Sequence, residues 1–392
     1  MMDLWATVPY YTAYLSKALL ADGVDVQVGS ITYYLDTDCF TGRGIQVDPG
    51  LLDVVGRYDL PKLPRRVLKL GEAMLNLAAL VLRFGIHPPD VIHVQYLPML
   101  RWKLPLDFWF LAFCRWRGAR IVLTVHDLMP HDTAEQYKAT FLELYQRVDA
   151  IICHSDHIKR RLGEEFGVEA EKISVIPHGP FFYDLEDRGS AETLGEFGMR
   201  DDEPMVLWQG IIFPYKGIDL LLEAWRMVEA SGSRARLLIV GTGAPELLAQ
   251  IREQVERLGL QRVGLHFRFI STEELVALYR AAEVVVYPYR AITTSGALAT
   301  GLALGKCIVA SDLPVFRELL TDGESAWLVD PQRHGDLAEA LTLLTGDVER
   351  RERLEVKIRA MNFGDASWLS IAKETKNVYD EILKTGGSTC IS

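Results

Sequence analysis

Three short stretches carry residue types suited to gripping an anion or a sugar hydroxyl. In "MVLWQGIIFPYKGIDLLLEAW" an apolar run stops at Gly210, Pro214 and Gly217 punctuate a turn, and Lys216 stands at the entry to an amphipathic helix. A lysine beside the free N–H groups of a helix start can hold a phosphate as a point charge, although a solvated loop lysine has the same pattern. In "YPYRAITTSGALATGLALGKCIVASD" the run Val284–Val286 leads to Arg290, Ser295 and Gly296, ahead of a small-residue helix closed by Gly305. A helix N-terminus attracts anions, glycine lets a phosphate reach the backbone, and no carboxylate stands between the two apolar runs to repel one. The small residues of that helix also suit close packing on a sheet, and the two readings are compatible. "LLIVGTGAPE", with Gly241 and Gly243, reads first as a tight strand-to-helix turn. "IVLTVHDLMPHD" sets His126 directly after a strand, with Asp127 and His131 near, where an imidazole can meet a hydroxyl or a charged group. His93 lies within an apolar run and reads as a core histidine. His154 and His178 follow other strands.

These loops need strands and helices to position them. Near-continuous apolar runs at 91–95, 121–125, 150–153, 173–177, 205–209, 236–240, 284–288, 307–311 and 326–329 alternate with amphipathic stretches. That alternation predicts parallel sheets with right-handed helical crossovers. The polar stretch 178–204 interrupts it. The expected organisation is an N-terminal domain over 1–180, a linker over 181–204, a C-terminal domain over 205–366 and a final helix over 367–392. At the start only "DLWATV" is left to serve as the first strand, so either that strand is short or residues precede Met1.

A chain of 392 residues is expected to form two domains. Its net charge of −11 argues against general nucleic-acid binding, which needs a basic surface. One local basic cluster, Lys62, Arg65, Arg66 and Lys69, is a candidate contact with an anionic membrane face, or a solvated helix face. Five scattered cysteines, at 39, 114, 153, 307 and 390, lack metal-ligand spacing and fit a reducing cytoplasm. No signal peptide pattern is visible, and the most apolar segments are about half the roughly 20 residues that span a bilayer.

Taken in order, "PDVIHVQ", "TVHD", "KISVIPHG", "GIIFPYKGIDLLLEAW", "LLIVGTG", "EELVALYRAAEVVVYPY" and "GKCIVASDLPVFRELLTDGESAWLVDP" resemble the retaining family 4 glycosyltransferases of GT-B fold. The resemblance implies an α/β architecture of two doubly wound Rossmann-like domains facing across a cleft. It implies transfer of a hexose from a GDP- or UDP-sugar to a glycan or lipid-linked acceptor in polysaccharide biosynthesis. Configuration would be retained, with neither metal nor cofactor. By the same resemblance Lys216 takes the donor diphosphate, as do the N–H groups of Ser295 and Gly296. Phe269 and Ile270, with Arg268, line the base; Gly210 and Gly241 shape the donor loops; His126 contacts the transferring sugar. The last helix would cross back to the N-terminal domain.

The pattern departs from the family where two glutamates eight positions apart would stand: Thr300 occupies the second position and Ile292 lies near the first. Ile211, Ile212 and Phe213 stand where a second cation is usual. Arg290 is the candidate replacement for that cation, and Thr300 a candidate contact to the ribose. These losses leave a second class open, a GT-B-shaped partner subunit that binds a transferase or glycan with little chemistry of its own. A third class, an epimerase acting on a nucleotide sugar, would want carboxylates at the sugar, and this loop has none.

Overall fold

A computed structural model describes the chain apart from residues 34, 48–50, 59, 101–103, 130–133, 186–189, 201–202, 362 and 388–392. Two compact units emerge: Met1–Pro177 together with Trp368–Ser392, and His178–Ser367. The polar stretch expected as a linker therefore groups with the second unit. It contains a helix, α6 (Ser190–Glu196), and Phe197 just beyond it is buried in that unit's core.

The first unit is built on six parallel strands: β1 (Met2–Asp3), β2 (Gly29–Ser30), β3 (Val91–Tyr96), β4 (Arg120–Thr124), β5 (Ala150–Cys153) and β6 (Ile173–Val175). Their order is β2-β1-β3-β4-β5-β6. The connecting helices are α1 (Pro9–Ala21), α2 (Lys62–Ile86), α3 (Leu106–Trp116), α4 (Ala134–Arg147) and α5 (Asp156–Phe166). β1 is shorter than "DLWATV" suggested, because the Asp3 carboxylate captures the N–H groups of Thr7 and Val8 at 2.7 and 2.8 Å. Those bonds turn the chain into α1. Strand side chains alternate between two cores. Ile121 and Leu123 pack with α2, α3 and α5, while Ala13 of α1 packs with Val28 and Phe40 elsewhere.

The second unit has β7 (Met205–Gln209), β8 (Arg236–Val240), β9 (Val263–His266), β10 (Val284–Tyr287), β11 (Ile308–Ser311) and β12 (Trp327–Val329), all parallel, in the order β12-β11-β10-β7-β8-β9. Counted from β7 this is 6-5-4-1-2-3, the strand order of the dinucleotide-binding fold. The order reverses between β7 and β10, so the crevice beyond their carboxyl ends is where such a sheet takes a ligand. Helices α7 (Ile218–Ala230) and α8 (Pro245–Leu258) cover one sheet face with Trp208 and Trp225. Helices α9 (Thr272–Ala281) and α10 (Gly296–Ala303) cover the other with Tyr279 and Tyr287.

The last helix (Asp365–Gly387) joins the first unit from Trp368 onward. Trp368 stacks on Tyr14 and meets Tyr11 edge-on, both with ring centroids 5.5 Å apart. Farther along, Tyr379 bonds His93 at 2.6 Å and Lys376 reaches Asp22 at 3.2 Å. The four described cysteines are buried and unbridged, and burial pushes the thiols of Cys39, Cys114 and Cys307 up to about 12. No described helix is long and apolar enough to cross a membrane.

Candidate functional site

The two loops at the reversal point of the second sheet are zipped together. After β7 the chain runs through Gly210 to a single 3-10 turn, Pro214–Lys216, and Gly217 then starts α7 with a left-handed φ of 67°. A side chain at Gly217 would place its Cβ 1.9 Å from the Pro288 carbonyl, so only glycine lets the turn rest on the exit of β10. There the Arg290 N–H donates to the Tyr215 carbonyl at 2.7 Å. On the other flank Gly241 lies under Gly210: an added Cβ would sit 1.9 Å from the Gly210 carbonyl oxygen.

This stacking aims the half-buried Lys216 across the strand ends. Its Nζ stands 5.9 Å from the Trp208 ring centroid and 5.7 Å from that of Tyr289, in the range of cation–π attraction. Burial raises the pKa of the Tyr289 hydroxyl, against a smaller opposing effect of the Ser295 side chain near it. One tyrosine thus lies beside both Lys216 and the residue that caps α10. The Ser295 hydroxyl accepts from the Leu298 N–H at 3.1 Å, while the N–H groups of Gly296 and Ala297 start the helix beyond reach of any helical carbonyl. Phe181 and His178 flank this start; a Cβ on Gly296 would lie 2.7 Å from the Phe181 ring. Underneath, the Tyr287 and Tyr279 hydroxyls donate to the Ala297 carbonyl at 2.7 and 3.1 Å, and Gln209 donates to Tyr279 at 2.8 Å. The helix start is therefore held on a rigid polar base. A cation, two helix-start N–H groups and glycine-lined backbone supply the charge and the donors that suit a diphosphate.

In the first unit, His126 follows β4, and its Nε2 donates to the Gln95 side-chain oxygen at 2.9 Å. Its ring meets Tyr11 edge-on at 4.7 Å and His154 at 5.3 Å. Gln95, His126 and His154 come from the carboxyl ends of β3, β4 and β5, so three adjacent strands aim polar groups at one sheet edge. His93 lies deeper and bridges the Tyr379 and Thr124 hydroxyls at 2.6 Å each. Burial pulls its pKa down to about 3 and that of His154 to about 4, so both imidazoles are neutral in the fold. His131 lies outside the described residues.

Residues 191–361 match the model of the family described as glycosyl transferases group 1, and residues 8–179 match that of glycosyltransferase family 4. The D-inositol 3-phosphate glycosyltransferase of Xylanimonas cellulosilytica is 25% identical over 95% of this chain and 91% of its own length. The protein of that name from Nocardia farcinica is 26% identical over 62% of this chain, which spans 54% of that relative. Among solved structures, Anabaena Alr3699/HepE in complex with UDP-glucose superposes with a TM-score of 0.73. It is 18% identical, over 96% of this chain and 98% of that one. The chain belongs to the family 4 glycosyltransferases. Its two doubly wound units are those of the GT-B fold.

Against the expectations for such a glycosyltransferase, the structure brings Lys216, Gly210, Ser295 and Gly296 to one neighbourhood through the zipped loops and Tyr289. Three expected donor contacts are used differently. The Arg290 guanidinium forks onto Asp219 at 2.7 and 2.6 Å and onto the Pro214 carbonyl at 3.0 Å. Its charge is matched there, and it fastens the turn rather than standing as a replacement cation. Thr300 is 2% exposed; its hydroxyl donates its one proton to the Gly296 carbonyl at 2.8 Å and accepts from the Phe181 N–H at 3.2 Å, so its proton is committed and burial keeps it from a ribose. The Ile270 side chain is buried in the core, which leaves only its backbone for a base, while Phe269 beside it is half-buried. Gly241 acts through backbone approach to Gly210. Tyr289 and Asp219 went unremarked in the sequence. The Tyr-Pro-Tyr run directly after a strand at the reversal point was the available signal for the first. Nothing local marked the second.

Proposed function

We propose that this glycosyltransferase moves a hexose from a nucleoside diphosphate sugar to a hydroxyl of a glycan or lipid-linked acceptor. The observation that carries the reading is that Lys216 and the cap of α10 both lie beside Tyr289 at the reversal point of the second sheet. In the reaction the bond between the anomeric carbon and the diphosphate breaks, and negative charge grows on the phosphates. A fixed ammonium and helix-start N–H groups stabilise that charge without reorganising, which is the largest catalytic term available here and the basis for proposing metal independence. Retention follows in this reading from attack on the face that the diphosphate leaves. The acceptor hydroxyl forms the new bond to the anomeric carbon, and its proton passes to a departing phosphate oxygen. We assign the acceptor to the carboxyl edge of the first sheet, where His126, oriented by Gln95, offers a contact to sugar hydroxyls.

The names of the relatives and neighbours narrow the first substrates to try: UDP-hexoses as donors, and inositol phosphate among the acceptors. Incubation with UDP- and GDP-hexoses and an acceptor panel, with and without EDTA, tests the reading. Product formation unaffected by chelation, with the anomeric configuration of the donor kept by NMR, is expected. Absence of turnover together with a stable heteromeric complex would support instead a non-catalytic partner subunit, for which the engaged Arg290 and Thr300 are the favouring observations.

A further inference from the structure

Helix α2 is apolar on two faces. One face packs Leu77 and Leu80 into the core of the first unit. The other carries Val67, Leu75, Leu82 and Ile86, spaced eight, seven and four residues apart, and these are 60–73% exposed. An amphipathic surface helix turns polar residues outward; one that is apolar all round is ordinarily covered on both sides. The neighbouring helix α3 repeats the pattern with Trp109 and Trp116, seven positions apart and 65% and 76% exposed. The two helices touch through Phe84 and Phe110, with ring centroids 6.1 Å apart. Right-handed crossovers from β2 to β3 and from β3 to β4 place them on the same side of the sheet. Their outward stripes therefore share one surface, on which these six large apolar side chains are exposed.

The charges on this surface have one sign. Of the basic cluster read from the sequence, Lys69 is half-buried and bonds Glu72 at 3.0 Å, and the side chain of Lys62 is outside those described. Arg65 and Arg66 are exposed. Each helix has a single carboxylate, and each is turned inward. Glu72 accepts from the Val54 and Val55 N–H groups at 2.8 Å, and Asp107 from those of Met99 and Leu100 at 2.8 and 3.1 Å. The chain has 53 acidic residues, yet these two helices put none on their outer surface.

We infer that the outer face of α2 and α3 rests on an anionic lipid bilayer, with the arginines among the headgroups and the leucines and tryptophans at the acyl boundary. Exposed tryptophan beside arginine on a helix face is the composition that lies in a membrane interface. A second copy of the chain is a poorer occupant, because pairing like faces sets arginine against arginine with nothing acidic between. The inference is independent of the donor and acceptor proposed above.

The test uses the full chain in vesicle flotation, with phosphatidylcholine alone or mixed with phosphatidylglycerol. Flotation with the anionic vesicles is expected. Arg65→Glu with Arg66→Glu should lower that partition by at least about tenfold at low salt, and by less at high salt. Trp109→Ser with Trp116→Ser should lower it on the order of tenfold at either salt. All four sites are exposed, so unchanged thermal unfolding certifies the variants. Absence of flotation with either lipid overturns the inference, as does binding that both double variants retain. A wild-type dimer in sedimentation that the tryptophan variant dissociates, without lipid binding, assigns the face to a second copy.

Discussion

Replacing Lys216 by methionine separates the two things that its position allows. Methionine keeps an unbranched stem between Trp208 and Tyr289 and removes the charge. The folded state loses two cation–π contacts at 5.9 and 5.7 Å, near the outer limit of about 6 Å, so each contributes only about 0.5 kcal/mol. Together they shift the midpoint of thermal unfolding by about 2–4 °C for a unit of this size. A diphosphate at the proposed donor site loses far more: a charge-assisted hydrogen bond contributes about 1.5–3 kcal/mol, which is roughly 10- to 150-fold in Kd. Calorimetric titration of wild-type and variant chains with UDP and GDP reads the difference. The expected outcome is at least about tenfold weaker binding of the preferred nucleotide, with near-native thermal stability. If both nucleotides bind the variant within about threefold of wild type, Lys216 does not hold the phosphates and the proposed donor site falls.

Three further outcomes are expected. Gly241→Ala forces a Cβ to within 1.9 Å of the Gly210 carbonyl at a φ of 139°, and should destabilise the second unit by at least about 2 kcal/mol in denaturant unfolding; a near-native midpoint refutes the stacked-loop account. His93 and His154 have folded pKa values lowered from 6.5 to about 3 and 4, so their stability contribution is complete above pH 6.5 and is lost as pH falls toward those values. At pH 5 each has lost about 2 kcal/mol, so thermal unfolding should weaken steeply from pH 7 to 5, and His93→Gln should flatten the slope. Trp368→Ala removes the stack on Tyr14 and the edge contact with Tyr11, and should lower the first unit's transition by about 3–5 kcal/mol in calorimetry while leaving that of the second unit in place.

The strand framework was readable because parallel strands buried on both faces are continuous apolar runs, and all nine such runs are strands. β1 and β2 escaped because two residues make no pattern. "VGLH" of β9 escaped because an edge strand that is only half-buried needs no unbroken apolar run. The logic of loops after strands put Lys216, Ser295 and His126 beyond strand ends, and the structure has them after β7, β10 and β4. That logic could not foresee the partners that hold Arg290 and Thr300. Their partners, Asp219 and Phe181, lie 71 and 119 residues away, and no spacing rule links an arginine to one carboxylate at that distance. The exposed stripe of α2 was hidden for the converse reason. Its basic start was visible, but an apolar helix face reads as core until the packing shows which side is already filled.

The reversal of strand order at β7 and β10 also bears on how the protein matures. Lys216 and Tyr289 are brought together only when strands about 80 residues apart in the chain have paired, a closure that costs entropy and forms slowly. With the proposed donor site, nucleotide affinity during refolding reports the central pairing itself, and a ligand added early has nothing to select until that seam has formed.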